Sequence, residues 1–256
     1  CRPPRGAISF QVNMPVMTGI RHARHNLKRW MRDQPRDVAI TFWPGRARIR
    51  FEPLGVIGII SPWNYPLMLA AGPMIDAIAA GNRVMLKPSE LTPAFSALLA
   101  ELIGKAFDPA EAAVVQGGVE TAQAFSALPF DHLVFTGSTE VGRKVAEAAA
   151  PNLTPVTLEL GGKSPAIVAP DYDIPSAARS IAFGKFLNAG QTCIAPDYVL
   201  APAASVERMA EAVLARARQS YPTITGNEDY SSLVSDRHHT RLVNAIGEAR
   251  QAGAKV

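Results

Sequence analysis

The sequence predicts an α/β protein: a doubly wound, mostly parallel sheet, followed by the start of a second α/β domain. Two observations carry this. From residue 55 onward, short apolar strands alternate with Ala-rich segments of helical length, the pattern of a parallel sheet covered on both faces. Near Gly161-Gly162 one strand ends and another begins almost at once, which marks a domain boundary.

Residues 1–17 have two early prolines and little periodicity, and read as an ordered loop or the remnant of a helix. Residues 18–34 read as a helix, with Ile20, Ala23, Leu27, Trp30 and Met31 near one stripe and basic side chains over the rest. Residues 39–43 and 47–51 flank Pro44-Gly45 and read as a β-hairpin with arginines on the wet face. Strands follow at 56–61, 82–87, 112–116, 132–136, 154–160, 165–169 and 197–201. Helices fall near 66–80, 92–106, 119–127, 139–150, 175–188, 204–220 and 236–253. The first residue is Cys and the last four read as the start of another strand, so both ends are expected to be cut.

Composition narrows the function. The 256 residues are 48% hydrophobic, enough for a sizeable core, and the formal charge of +4 suits anionic small molecules at least as well as nucleic acid. With Cys1 and Cys193 the only cysteines, neither a disulfide framework nor a zinc cluster is expected, and a reduced cytoplasmic setting is. No metal site is expected: His132, His238 and His239 lack metal-like spacing. The basic stretch 21–32 reads as the solvated face of a packed helix, with no nucleic-acid or membrane partner expected.

Cys193 ends the block Asn188-Ala189-Gly190-Gln191-Thr192-Cys193. A lone cysteine is usually a small buried hydrophobe. Here the Gly/small-residue turn favours an exposed thiol instead, with backbone N–H groups able to point at a substrate oxygen. Glu159 lies 34 positions earlier, at the end of an alternating strand that puts Val156, Leu158 and Leu160 on one face and Thr157 and Glu159 on the other. It reads as a solvated residue or as a base beside Gly161-Gly162, where side chains are absent. Asn64 precedes Pro66 and reads as a helix cap, an oxyanion donor, or both. Gly137-Ser138-Thr139-Glu140-Val141-Gly142 follows a strand and opens a helix, a site for phosphate, though without the standard dinucleotide spacing. Lys87-Pro88-Ser89-Glu90 closes a strand. It reads as a charged strand end with a Ser cap and a first-turn Glu, or as a pair of side chains for ribose hydroxyls.

Taken in order, Pro62-Trp63-Asn64-Tyr65-Pro66, Lys87-Pro88-Ser89-Glu90, Phe135-Thr136-Gly137-Ser138-Thr139, Leu158-Glu159-Leu160-Gly161-Gly162-Lys163-Ser164 and Gly190-Gln191-Thr192-Cys193 resemble the aldehyde dehydrogenase superfamily, from about residue 15 to the end. The continuation after Cys193 is similar to the class 3-like branch, which includes fatty and aromatic aldehyde enzymes. The resemblance implies a Rossmann-like NAD(P)-binding domain over 53–162, an incomplete catalytic domain over 163–256, and an N-terminal helix and bridging hairpin over 1–52. It implies Cys193 as nucleophile, Glu159 as the base for water, and the Asn64 amide with the Cys193 N–H as oxyanion donors. It implies a cofactor, NAD with NADP as the alternative, held by Ile60, Ser61, Trp63, Lys87, Ser89, Glu90, Gly137, Ser138, Val141, Gly142, Leu160 and Gly161. The implied substrate is an aromatic, coniferyl-aldehyde-like aldehyde, and the implied assembly a homodimer. The family's later Glu-x-Phe-Gly-Pro motif does not occur in these 256 residues. Little turnover is therefore expected of the chain by itself, and a non-catalytic nucleotide-binding module is the alternative. A CoA-acylating relative would generally lack the deacylating glutamate, so Glu159 argues against it.

Overall fold

A computed structural model describes residues 13–255. Their contacts divide into two compact units, one running to Glu159 and the other from Leu160.

The first unit begins with helix α1 (Met14–Trp30), four residues earlier than the sequence suggests. Pro15 explains the shift: its fixed φ suits the first turn, and its missing N–H would have had no partner there. Part of the predicted first loop is therefore helix, and residues 1–12 lie outside the described residues. The hairpin differs as well. Strand β1 (Gln34–Arg36) pairs antiparallel with β2 (Ala47–Ile49), Pro35 opposite Arg48, and Ile40–Phe42 form a 3₁₀ turn in the connection rather than a strand. An ion-pair cluster accompanies this register. Asp33 accepts from Arg50 at 2.9 and 3.1 Å and meets Arg48 at 3.0 Å, joining the chain just before β1 to β2 and the residue after it. Local β-propensity at 39–43 gives way to that longer-range pairing.

The five-stranded sheet is built from β3 (Val56–Ile60), β4 (Arg83–Lys87), β5 (Ala112–Val114), β6 (His132–Gly137) and β7 (Val156–Leu160), in the order β5-β4-β3-β6-β7. The β3–β4, β3–β6 and β4–β5 pairs are parallel. Helices α2 (Pro66–Ala79), α3 (Pro93–Ala106), α4 (Val119–Ser126) and α5 (Thr139–Ala149) connect the strands. Ile57 and Ile59 of β3 and Val84 and Leu86 of β4 form one core with Ala70, Met74 and Ala77 of α2 and Leu99 and Ile103 of α3. Gly58 faces the other side, where a Cβ would come 2.7 Å from the Phe130 ring and 2.8 Å from Leu133; both faces are thus filled. Such burial explains the near-continuous apolar runs of β3 and β4.

In the second unit, β8 (Ser164–Ile167) pairs parallel with β9 (Pro196–Leu200). Helix α6 (Ile174–Phe186) packs on α7 (Val206–Ser220), with Ala177, Ala178, Ile181 and Met209 as a small core. Helix α8 (Asp236–Gln251) follows. The Lys163 ammonium lies 3.2 Å from the Asp197 carboxylate, joining the approach to β8 to the second residue of β9.

Candidate functional site

Parallel sheets hold ligands beyond the carboxyl ends of their strands, at the point where the strand order reverses direction. Here β3 is followed outward by β4 and β5 on one side and by β6 and β7 on the other, so the switch lies between β3 and β6. Ile60, the last residue of β3, stands in register with Lys87 of β4 and Phe135 of β6. The predicted motifs after these three strands therefore start from one edge of one sheet.

Ser61 leaves β3 at that edge. Its N–H donates to the Lys87 carbonyl at 3.1 Å, and its side chain is buried. The Ser61 hydroxyl has no hydrogen-bond partner among the described residues. A buried polar atom left in this state costs about 1–3 kcal/mol, a cost that a ligand acceptor or donor would remove. Trp63 and Asn64 are half-buried in the bend that follows. The N-cap of α2 is Tyr65, with Pro66 opening the helix, so Asn64 lies one residue outside the cap position that the sequence suggests for it.

The Lys87 side chain is 2% exposed and donates to Glu90 Oε2 at 2.9 Å. Burial pushes the Glu90 carboxyl up, but the Lys87 hydrogen bond, a backbone hydrogen bond and the ammonium charge outweigh it, and the group stays below its ordinary value of 4.5. Among the described residues Glu90 is the one side-chain partner of this ammonium, which leaves donor capacity for ligand hydroxyls. The capping account of this motif does not hold. Helix α3 starts at Pro93 with Thr92 as N-cap, and Ser89 instead accepts the Leu91 N–H at 3.2 Å in a local turn. The Ser89 carbonyl accepts from the Ser96 hydroxyl at 2.9 Å, so Ser89 and Glu90 belong to a turn braced by α3.

After β6, Ser138 is the N-cap of α5, its hydroxyl accepting from Val141 N–H at 3.3 Å and its carbonyl from Gly142 N–H at 2.9 Å. Helix geometry leaves the Thr139 and Glu140 N–H groups without partners inside the helix, an anion-binding end. Gly137 is fixed by packing, since a Cβ there would fall 2.5 Å from the Phe135 ring. Val141 is exposed beside this end and Gly142 is buried. At β7 the predicted alternation is present: Val156, Leu158 and Leu160 are half-buried, Thr157 and Glu159 exposed. A Cβ added at Gly161 or Gly162 would meet no atom within 4 Å, so this stretch is open to a close approach.

Cys193 belongs to the second unit and is exposed. Helix α6 ends at Phe186 and passes into a 3₁₀ turn, Leu187–Gly190. Asn188 (φ 50°, ψ 36°) and Ala189 (φ 54°, ψ 32°) are left-handed, and Gly190 has φ 75°. Asparagine and glycine tolerate that region; alanine costs about 1–2 kcal/mol there. Cys193 and Ile194 are the central residues of the next turn, closed by Ala195 N–H donating to the Thr192 carbonyl at 3.1 Å. The Gln191 carboxamide holds this loop from the side. Its Nε2 donates to the Asn188 carbonyl at 3.0 Å and the Ser232 carbonyl at 3.1 Å, and its Oε1 accepts from Val234 N–H at 3.0 Å. Sequence reasoning gives Gln191 no role, because Ser232 and Val234 lie 41 and 43 residues away.

A hollow of about 280 Å³ in the second unit, lined by residues including Asp171, Tyr172, Asp173 and Arg208, contains none of the predicted residues. Among the described residues no group of three or more His, Cys, Asp and Glu could hold a metal ion, and no helix is long and apolar enough to cross a membrane.

The pattern of the aldehyde dehydrogenase family matches residues 6–256. A probable coniferyl aldehyde dehydrogenase of Pseudomonas aeruginosa is 50% identical over 241 residues, covering 94% of this chain and 51% of that protein. A coniferyl aldehyde dehydrogenase of a Pseudomonas strain, HR199, is 46% identical over 240 residues, covering 94% and 50%. Among solved structures, the substrate-bound AldH of Staphylococcus aureus superposes with a TM-score of 0.91 at 39% identity, over 97% of this chain and 55% of that one. A Mycobacterium tuberculosis aldehyde dehydrogenase in complex with NAD+ gives 0.87 at 32%, over 99% and 52%. The chain spans about half the length of the curated relatives it matches.

Proposed function

Because this chain belongs to the aldehyde dehydrogenase family, we propose that it serves the NAD(P)-dependent oxidation of an aldehyde to the carboxylic acid. The match over residues 6–256, which spans every candidate residue, carries this reading. Three solved relatives are complexes with NAD+, and the relatives named for coniferyl aldehyde point to an aromatic, coniferyl-aldehyde-like substrate. Cytoplasmic location and a homodimer belong to the same reading.

The residues present fit a dinucleotide. The orphaned Ser61 hydroxyl, the buried Lys87 ammonium and the N-terminus of α5 offer donors along the edge where the strand order reverses. Ile60, Trp63, Val141, Leu160 and Gly161 would supply apolar contact or close backbone approach, and Ser89, Gly137 and Gly142 the tight turns. Glu90 favours a free ribose 2′-hydroxyl over a 2′-phosphate, hence NAD over NADP.

In the proposed mechanism the Cys193 thiolate forms a C–S bond to the carbonyl carbon, and the carbonyl oxygen becomes an oxyanion. The Asn64 amide and the Cys193 N–H hold that oxyanion; one such donor is worth about 3 kcal/mol in the transition state. When bound, the nicotinamide supplies the two-electron oxidant by accepting hydride from the substrate carbon. The carbonyl re-forms as a Cys193 thioester. Glu159 then takes a proton from water, the resulting hydroxide adds to the thioester carbon, the C–S bond breaks, and the acid leaves with the thiolate restored.

The test is a titration of NAD+ into the protein followed by cinnamaldehyde-type and long-chain aliphatic aldehydes, with NADH absorbance as readout. The reading expects saturable cofactor binding and aldehyde-dependent NADH formation, slow for these 256 residues by themselves, that Cys193→Ser abolishes. Undiminished oxidation by Cys193→Ser would remove Cys193 from its role. Binding without any aldehyde-dependent NADH would instead favour the nucleotide-binding module.

A further inference from the structure

We propose that Gln191 is the positioning residue for Cys193: a carboxamide peg that holds the left-handed Asn188–Gly190 turn and so fixes where the thiol stands. This rests on the reading of Cys193 as the nucleophile for its functional meaning.

A helix that ends at Phe186 would extend most easily by keeping right-handed backbone, yet three successive residues, Asn188, Ala189 and Gly190, all have positive φ. Alanine has no local reason to stay there, because its side chain offers no hydrogen bond to the backbone. Something outside the turn must hold it. The Gln191 side chain does this with each of its polar atoms. Nε2 reaches the Asn188 carbonyl inside the turn at 3.0 Å and the Ser232 carbonyl outside it at 3.1 Å, while Oε1 takes the Val234 N–H at 3.0 Å. The main chain adds a fourth bond, Gln191 N–H to the Asn188 carbonyl at 3.1 Å. These three partners are backbone groups, so these bonds depend on the course of the chain at 188 and 232–234.

The chemistry selects glutamine. Two donors and one acceptor at one fork are needed. Glutamate has the length but would set a carboxylate against two carbonyl oxygens, and asparagine is one methylene too short. Cys193 follows two residues later, with Ile194 78% exposed beside it. Once the turn is released, burial of Ile194 would draw the neighbouring thiol inward.

The experiment needs no turnover. In a Cys1→Ser background, amide exchange and iodoacetamide alkylation of Cys193, both read by peptide mass spectrometry, are compared for the parent, Gln191→Ala and Gln191→Glu. Both variants are expected to exchange about tenfold faster at 188–195 and at 232–234, the factor for losing one to two net hydrogen bonds, with α6 and α7 unchanged. Alkylation of Cys193 is expected to slow by about threefold as the thiol loses exposure. Adding Ala189→Gly to Gln191→Ala lets the turn persist without its peg, and should return both readouts toward the parent. Unchanged exchange, a Gln191→Glu variant that behaves as the parent, or uniform acceleration across the whole unit overturns the proposal. A clamp that passes this test while Cys193→Ser still oxidises aldehyde would instead sink the nucleophile reading, so the two failures are distinguishable.

Discussion

The Lys87 ammonium sits 2.9 Å from the Glu90 carboxylate, the lysine side chain 2% exposed and the glutamate 42%. This is an ion pair with one end in the sheet edge and one end in water. Glu90→Gln leaves the buried ammonium without its counter-charge, and is expected to cost about 1–3 kcal/mol at pH 7 by denaturant unfolding. The sign of the pH dependence follows from the carboxyl, whose folded-state value lies below the ordinary 4.5. The pair's contribution is complete above that value and is lost as pH falls through the lower folded one. The stability gap between parent and Glu90→Gln should therefore close toward pH 3, and a gap that stays constant from pH 7 to pH 3 would contradict the assignment.

Ser61→Ala separates binding from folding. The buried Ser61 hydroxyl makes no bond among the described residues, so its removal should leave stability unchanged or raise it by up to about 1 kcal/mol. If a dinucleotide satisfies it, NAD+ affinity should fall by about three- to tenfold, one hydrogen bond's worth. Calorimetric titration and thermal melts give the two numbers, and destabilisation with unchanged affinity would show the hydroxyl to be structural.

Ala189→Gly should stabilise the protein by about 1 kcal/mol, because glycine adopts φ near 54° without the steric cost that alanine carries. Glycine at an ordinary loop position would instead destabilise. A lowered melting temperature would show that Ala189 is not strained.

Much of the fold was legible in the sequence. β3 and β4 announce themselves as apolar runs because a parallel strand buried on both faces has no polar side to show. Helices α2 to α5 begin and end within about two residues of where caps, prolines and periodicity put them. What the sequence hid is what depends on distant partners. The β1–β2 register goes with Asp33, Arg48 and Arg50, and a propensity reading of 39–43 cannot see that cluster. Thr92, not Ser89, holds the N-cap position of α3, and the Ser89 hydroxyl accepts from Leu91 N–H instead. At the candidate site the residues proposed for the chemistry come from their motifs. The peg role of Gln191 does not, since Ser232 and Val234 lie 41 and 43 residues away.

Glu159→Gln should divide the proposed reaction in two. Without a base for water the thioester accumulates, so a burst of about one NADH per thiol is expected, then turnover slowed by about 10²–10⁴-fold. Stopped-flow absorbance at the NADH band reads both phases. Loss of burst and steady state together would move Glu159 to an earlier step.

The central claim, that Cys193 carries the substrate, is tested most directly by trapping the acyl group. Glu159→Gln protein, incubated with NAD+ and a cinnamaldehyde-type aldehyde, quenched in acid and digested, is expected to show the peptide containing Cys193 heavier by the aldehyde's mass less two hydrogens. No such adduct on Cys193, or the same adduct on another residue, would contradict the account.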